Sequence, residues 1–475
     1  MNILIYVLDS LRPDHLSCYG YHRPTSPALD RLARDAVLFE NAFAQATWTR
    51  PSAASLLTGA YPDIHQARTI HDAMPAQIIT LPERLAEKGW KTCAFSAMGN
   101  VSSVLGFDRG FQIFHDLYKE KSLLARRTTS TSDREKLCFE GKGTAIALPL
   151  AEDINRFVFP TLDQLQSTDW LLFIWAIDTH DPYAPPRSLS RFADPAYAGD
   201  VADVNTYRKV KQRVKKYRDP RDIQFLIDLY DDEIVYADHH LGLLLQKLKD
   251  LNLYDDTIII VTGDHGDGFN DYNRGRFGHG GLPYEETLRV PLICKLPGSQ
   301  GAGARLPALV QLVDIAPTVL DCVAPDQSPD DHDNHLFSGT SLLPLIDGHR
   351  KTVHEYVYSE TQADHASASF RSLRGPRWKY IQVRPPRWSL RNIKTHPRHF
   401  LRSHFCWDKD QLYDLQNDRG ETVNLARRNP ALLRRFQNEM ETWQRSNLEK
   451  QDTILTARAQ MDRQTEDQLR CLGYM

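Results

Sequence analysis

The sequence predicts an α/β fold with a large, mostly parallel central sheet flanked by helices, followed by a smaller α+β domain carrying an antiparallel sheet. Three observations lead there. Apolar runs at Ile3–Leu8, Trp170–Ile177 and Thr257–Gly263 are short, lack alternation and are bounded by polar residues, as strands buried on both faces of a parallel sheet are. Helical patterns lie between such runs, which is the alternation of a doubly covered sheet. Each run then stops at an acid: Asp9, Asp178 and Asp264. Ligands of open α/β sheets sit beyond the carboxyl ends of the strands, so these acids fall where chemistry is expected.

The elements follow in order. Helices are predicted over 26–35, 81–88, 148–166 and 223–250. The last is clearest, because Ile227, Tyr230, Ile234, Ala237, Leu241 and Leu244 recur near a 3.6-residue period. Polar stretches at 118–142 and 188–221 read as loops. The second holds a basic run over 208–216, read as a solvated helix face or, more sharply, as a patch attracting an anionic substrate. After about residue 350 the pattern changes to short strand-like pieces at 353–358, 378–383 and 411–414, then an amphipathic helix at 430–445. This divides the chain into a catalytic domain over 1–350, a C-terminal subdomain over 351–450 and a tail over 451–475. Within the subdomain, residues 384–404 are rich in Arg and His and read as a surface loop or a specificity loop over the catalytic face. The apolar end of the tail, Leu469 to Tyr474, is expected to dock back onto the body or to join a partner chain in a homo-oligomer.

Composition narrows the function classes. A chain of 475 residues, 41% hydrophobic and 25% charged, is an ordinary globular protein with room for a large core. Its net charge of −3 points to neither nucleic acid nor a membrane surface. The first apolar run is cut by Asp9 and has no basic leader, and no later run reaches membrane length. Seven dispersed cysteines fit reduced thiols better than a disulfide framework. A cytoplasmic location without a membrane span is therefore expected.

The chemistry is concentrated in few residues. Asp9, Asp264 and His265 offer two carboxylates and an imidazole, a set that suits one divalent metal such as Mn²⁺, Ca²⁺, Mg²⁺ or Zn²⁺. A single Asp at a strand end is more often a helix cap, but the run Gly263-Asp264-His265-Gly266 lets backbone crowd an ion. The segment from Thr47 to Gly59 becomes helical around Pro51, which places Thr49 or Ser52 at a helix N-terminus. There a hydroxyl is a cap, or a nucleophile facing an anionic centre.

Together these residues resemble the sulfatase family of the alkaline phosphatase superfamily. The likeness runs from Asp9-Ser10-Leu11-Arg12-Pro13-Asp14 through Ser55-Leu56-Leu57-Thr58-Gly59, Thr179-His180-Asp181-Pro182-Tyr183, Tyr254 to Gly266, His279-Gly280 and Tyr284-Glu285-Glu286-Thr287-Leu288-Arg289-Val290-Pro291. It closes at Leu412-Tyr413-Asp414-Leu415 and Glu421-Thr422-Val423-Asn424-Leu425-Ala426. The resemblance implies that Asp9, Asp264 and His265 hold metal, that Thr49 is the nucleophile and also touches the metal, and that His180 and His279 bind the transferred anion or protonate the leaving group.

Three positions depart from the family pattern. Sulfatases usually carry Cys or Ser, oxidised to formylglycine, where this chain has Thr49. They usually have Arg where it has Ala53, and often a second acid where it has Ser10. Threonine cannot give the aldehyde that expels sulfate, so no formylglycine is expected. A threonine phosphate ester, by contrast, is open to in-line attack. Thr as nucleophile is similar to lipoteichoic-acid synthases and related phosphoglycerol or phosphoethanolamine transferases, and the acid–His metal set with one N-terminal Asp is similar to phosphonate monoester hydrolases, which do use formylglycine. Losing the Arg removes a charge-assisted contact of ~1.5–3 kcal/mol, for which Arg50, Arg12 and a distant basic loop are the candidate replacements, and Arg50, Arg12 and Ser10 are the candidate substrate-binding residues. The expected function is hydrolysis or transfer of a small anionic phosphate or phosphonate ester. A sulfatase without formylglycine and a degenerate anion-binding homologue are the alternatives.

Overall fold

The computed structural model describes residues 1–120, 137–139, 145–199, 201, 219–274, 276–324, 337–362, 368–384, 410–451 and 454–475. The basic run over 208–216, most of the polar stretch over 118–142 and nearly all of the Arg- and His-rich segment over 384–404 lie outside the described residues.

The main sheet has eight strands: β1 (Asn2–Leu8), β2 (Val37–Phe43), β3 (Lys91–Ser96), β4 (Ile113–Asp116), β5 (Trp170–Ala176), β6 (Thr257–Gly263), β7 (Arg289–Lys295) and β8 (Arg305–Gln311). Their spatial order is β8-β2-β7-β6-β1-β5-β3-β4. Pairing is parallel except at β7, which runs antiparallel to both β2 and β6. The three runs read as strands are the central trio, β6-β1-β5, and Ile3–Val7, Leu171–Ile174 and Ile258–Val261 are each at most 1% exposed. Burial of alternate residues on both sides requires cover on both faces. Two helix layers supply it. Helices Pro27–Leu32, Ala151–Leu165 and Pro220–Asp250 pack together, as do Thr49–Thr58, Pro62–His65, Leu81–Glu87 and Ile315–Val323.

Register decides where the chemistry sits. Leu8 pairs with Gly263 on one side and with Ala176 on the other. Asp9 and Asp264 are therefore the next residues of two adjacent parallel strands and emerge level with each other. Asp178 comes one residue later than that line, and its Oδ1 accepts the Ala151 N–H at 3.0 Å, at the start of the helix Ala151–Leu165.

The second sheet is antiparallel, in the order Val357–Thr361, Ser369–Arg374, Trp378–Arg384, Gln411–Asp414. The sequence pattern places its first strand at 353–358, four residues early at the start, and does not mark Ser369–Arg374, whose Arg and Ser residues mask a strand buried by tertiary contact. Helix Pro430–Gln451 covers this sheet. The subdomain is bonded to the catalytic body through charge. The Lys379 ammonium is fully buried, 3.0 Å from Glu285 and 2.9 Å from Glu421. Lys379→Met is expected to leave two buried carboxylates facing each other and to cost about 3–5 kcal/mol, measured as a lowered urea midpoint at unchanged m-value.

Candidate active site

The site is built from strand ends. Asp9 follows β1, Asp264 and His265 follow β6, and His180 lies on the loop after β5. Thr49 opens the ten-residue helix Thr49–Thr58, which follows β2. The carboxyl end of the sheet thus carries all five.

The carboxylates are held by a dense set of donors. Trp175 Nε1 donates to Asp9 Oδ2 at 3.1 Å, and Ser10 Oγ donates to Asp9 Oδ1 at 3.1 Å. Ser10 N and His265 N donate to Asp264 Oδ1 at 3.0 and 2.9 Å. Ser10 reaches this pose with φ +63°, a left-handed conformation costly for a residue with a Cβ. The main chain is tied too: Thr179 Oγ1 donates to the Asp9 carbonyl, Tyr230 OH to the Ser10 carbonyl and Ser52 Oγ to the Asp264 carbonyl. Of the two hydroxyls the sequence left open, Ser52 is thus committed to backbone, and Thr49 faces the cluster. Its Oγ1 lies 3.4 Å from Asp9 Oδ2 and 3.3 Å from His265 Nε2.

This cluster fits a divalent cation. Donor atoms of Asp9, Asp264 and His265 lie within 4.8 Å of one another, and all three side chains are fully buried. Asp264 Oδ2 accepts no hydrogen bond. Burial, then the neighbouring Asp264 charge, pushes Asp9 up to about 7, and burial pushes Asp264 up to about 7. Burial, then His279, pushes His265 down to about 4, so it is a neutral ligand. Because Gly266 O can only accept, the His265 Nδ1 it meets at 2.9 Å carries the proton, and Nε2 faces the carboxylates with its lone pair. Two desolvated carboxylates and a bare imidazole nitrogen are a cation's ligand set.

Beside it stand the two other histidines. The His180 and His279 ring centroids are 4.9 Å apart. His180 Nδ1 lies 2.5 Å from the Asp181 carbonyl oxygen, which fixes the proton there and turns Nε2 inward. His279 Nδ1 lies 3.4 Å from Asp267 Oδ1. Both Nε2 atoms converge on one oxygen, the Tyr474 hydroxyl, at 3.1 and 3.2 Å, and Thr49 Oγ1 meets the same oxygen at 2.8 Å.

Two proposed anion binders are not brought here, and that expectation is corrected. The Arg12 guanidinium is spent on Asp14, Asp271 and the Asp267 carbonyl. Arg50, fully buried, donates to the carbonyls of Thr69, Ile70 and Asp72 and to Asn100. Ser10 supports the carboxylates from behind. The sequence pattern does not mark Trp175 or Tyr474 as site residues: Trp175 reads as one more apolar strand position, and Tyr474 lies 425 residues from Thr49.

The sequence profile of the family described as Sulfatase matches residues 1–324. The chain belongs to the sulfatase family. It is therefore a sulfatase-family hydrolase of the alkaline phosphatase superfamily, and members of this family use a divalent metal, for which Asp9, Asp264 and His265 are fitted. A second profile, N-sulphoglucosamine sulphohydrolase, C-terminal, matches residues 276–402. Among curated relatives, N-acetylglucosamine-6-O-sulfatase of Bacteroides thetaiotaomicron is 23% identical over 84% of this chain and 81% of its own. Iduronate 2-sulfatase of Mus musculus is 26% identical over 73% and 68%. Among solved structures, the phosphonate monoester hydrolase of Agrobacterium radiobacter shares the fold at TM-score 0.71 and 20% identity, covering 94% of this chain and 96% of that one. The Silicibacter pomeroyi enzyme of the same description does so at 0.72 and 21%, covering 97% and 100%.

The hydrogen bond from Trp175 to Asp9 is a support of the kind that orients a metal ligand. Trp175→Phe is expected to weaken Mn²⁺ binding by about 10–100-fold, read by calorimetric titration of the metal-free protein.

Proposed function

We propose that this sulfatase-family hydrolase cleaves or transfers phosphate or phosphonate esters, with Thr49 as its nucleophile. The observation that carries the reading is the position of Thr49 Oγ1. It opens a buried helix, lies 3.4 Å from Asp9 and 3.3 Å from His265, and faces the inward nitrogens of two histidines across a single oxygen position. A helix N-terminus adds unpaired N–H groups that favour an anion.

Asp9, Asp264, His265 and Thr49 are the residues that would hold the metal. A cation bound there would neutralise the carboxylate pair and lower the pKa of the Thr49 hydroxyl, and Asp9 Oδ2, to which that hydroxyl donates, is the acceptor for its proton. Thr49 Oγ1 then bonds to phosphorus as the bond from phosphorus to the leaving oxygen breaks. His180, protonated at Nε2, gives that oxygen its proton, while His279 faces the non-bridging oxygens. In the second half, neutral His180 takes the proton of a water or acceptor alcohol, which attacks phosphorus and frees Thr49. Threonine supports phosphorus over sulfur because its ester has no aldehyde to collapse to and must be broken by a second in-line attack.

The similarity to enzymes described as sulfatases favours a second reading, sulfate ester hydrolysis with Thr49 only as a metal ligand. The test is a matched set of p-nitrophenyl esters, the phenylphosphonate, the phosphate diester and the sulfate, with Mn²⁺ present. Wild type is expected to favour the phosphorus esters, Thr49→Ala to lose on the order of 10³-fold or more in kcat, and chelation to abolish turnover. Full activity of Thr49→Ala, or faster cleavage of the sulfate, overturns the proposal.

A further inference from the structure

The tail that ends in the site is shaped by its own sequence. Helix Arg463–Cys471 is capped by Asp462, whose side chain accepts the Thr465 N–H at 2.8 Å. It ends at Leu472-Gly473-Tyr474, where Gly473 takes φ +85°. Gly473 N donates to the Arg470 carbonyl at 3.1 Å and Tyr474 N to the Leu469 carbonyl at 2.9 Å. That pair of bonds, with a left-handed glycine between them, is a Schellman turn. It stops the helix and turns the next side chain back toward the sheet. Leu469, Cys471 and Leu472 are buried in the same chain, and Gln468 bonds the backbone at Ala97 and Gly99, beyond β3. This apolar end therefore packs against the body.

The phenol carried by this turn meets three reacting groups. Its oxygen lies 2.8 Å from Thr49 Oγ1, 3.1 Å from His180 Nε2 and 3.2 Å from His279 Nε2. Thr49 and His180 are both fully buried. A nucleophile attacks a centre about 3–3.5 Å away. On one side of Oγ1 stand Asp9 and His265, and on the other stands the phenol. A tetrahedral phosphorus or sulfur centre with its oxygens does not fit there beside it.

We propose that Tyr474 is a built-in plug. Its hydroxyl occupies the position of the transferred anion's oxygen, and substrate binds only when the phenol is displaced. The inference uses the site as described above, yet it concerns occupancy of the anion position, so it stands or falls separately from the role of Thr49 in turnover. The Schellman turn supplies the means. A Cβ at Gly473 would meet no atom within 4 Å, so the outer side of the turn is open and displacement of the phenol would meet no packing there. A closed state populated at nine parts in ten lowers apparent anion affinity about tenfold.

The test is calorimetric binding of inorganic phosphate to Mn²⁺-loaded full-length protein. Tyr474→Gly is expected to bind phosphate about tenfold more tightly than wild type, and Tyr474→Phe, which keeps the ring but loses the three polar contacts, to fall between them. Gly473→Ala keeps the phenol but strains the left-handed turn, and is expected to tighten binding severalfold. Unchanged or weaker phosphate binding in Tyr474→Gly overturns the plug, because a phenol that donates to the bound anion would be missed when removed. Weaker binding in Gly473→Ala overturns it in the same way. These readouts need no turnover, so an inactive enzyme with tighter phosphate binding sinks the proposed reaction and leaves the plug standing.

Discussion

The side-by-side burial of the Asp9 and Asp264 carboxylates is the constraint from which the rest of the catalytic face follows. Two parallel strands in exact register deliver them level, at the end of a sheet sealed on both faces. Water cannot reach them, and burial pushes both toward protonation. Such a pair is tolerable only with donors, a cation or both. The surroundings read as the answer to that problem. Trp175 and Ser10 donate to Asp9, two backbone N–H groups donate to Asp264, and a neutral His265 turns its lone pair inward. The left-handed backbone of Ser10 is strain placed where one residue must serve both acids.

From this follows the division of labour among the charged residues. Among the described residues, no guanidinium or ammonium hydrogen-bonds the Asp9, Asp264 and His265 cluster. Arg12 and Arg50, flanking it in sequence, instead donate to Asp14 and Asp271, to backbone carbonyls and to the Asn100 side chain. Among the described residues, the groups that meet the anion position are instead imidazoles and hydroxyls. A site with neutral donors and a metal relies on geometry more than on net charge to hold an anion. The buried ion pairs lie elsewhere, as at Lys379 with Glu285 and Glu421, where they join the C-terminal sheet to the catalytic body.

Much of this was legible in the chain. The three apolar runs became the three central strands because a strand buried on both faces must be apolar at every position. The long helix Pro220–Asp250 showed its period because its apolar residues recur on one face, although tertiary contacts bury residues 229–238 on every side. Asp9, Asp264, His265, Thr49, His180 and His279 stand in motifs, and all six converge. The three strand-end acids were alike in sequence and are not alike in space, since one residue of register sends Asp178 to the N-terminus of a helix. Arginine side chains were the least legible, because a guanidinium follows whichever acceptors tertiary packing brings near.

The sequence by itself determined the sheet, its family and the inventory of reactive groups, because these rest on hydrophobic pattern and local motif, which are written along the chain. It also set the Leu-Gly-Tyr turn, since a left-handed stop after a helix is a local preference of glycine. Tertiary structure alone decided that Tyr474 meets Thr49, His180 and His279, and that Trp175 rather than an arginine supports Asp9. Those contacts join residues hundreds of positions apart, and their existence depends on register and helix docking to within about an ångström, which no local pattern encodes.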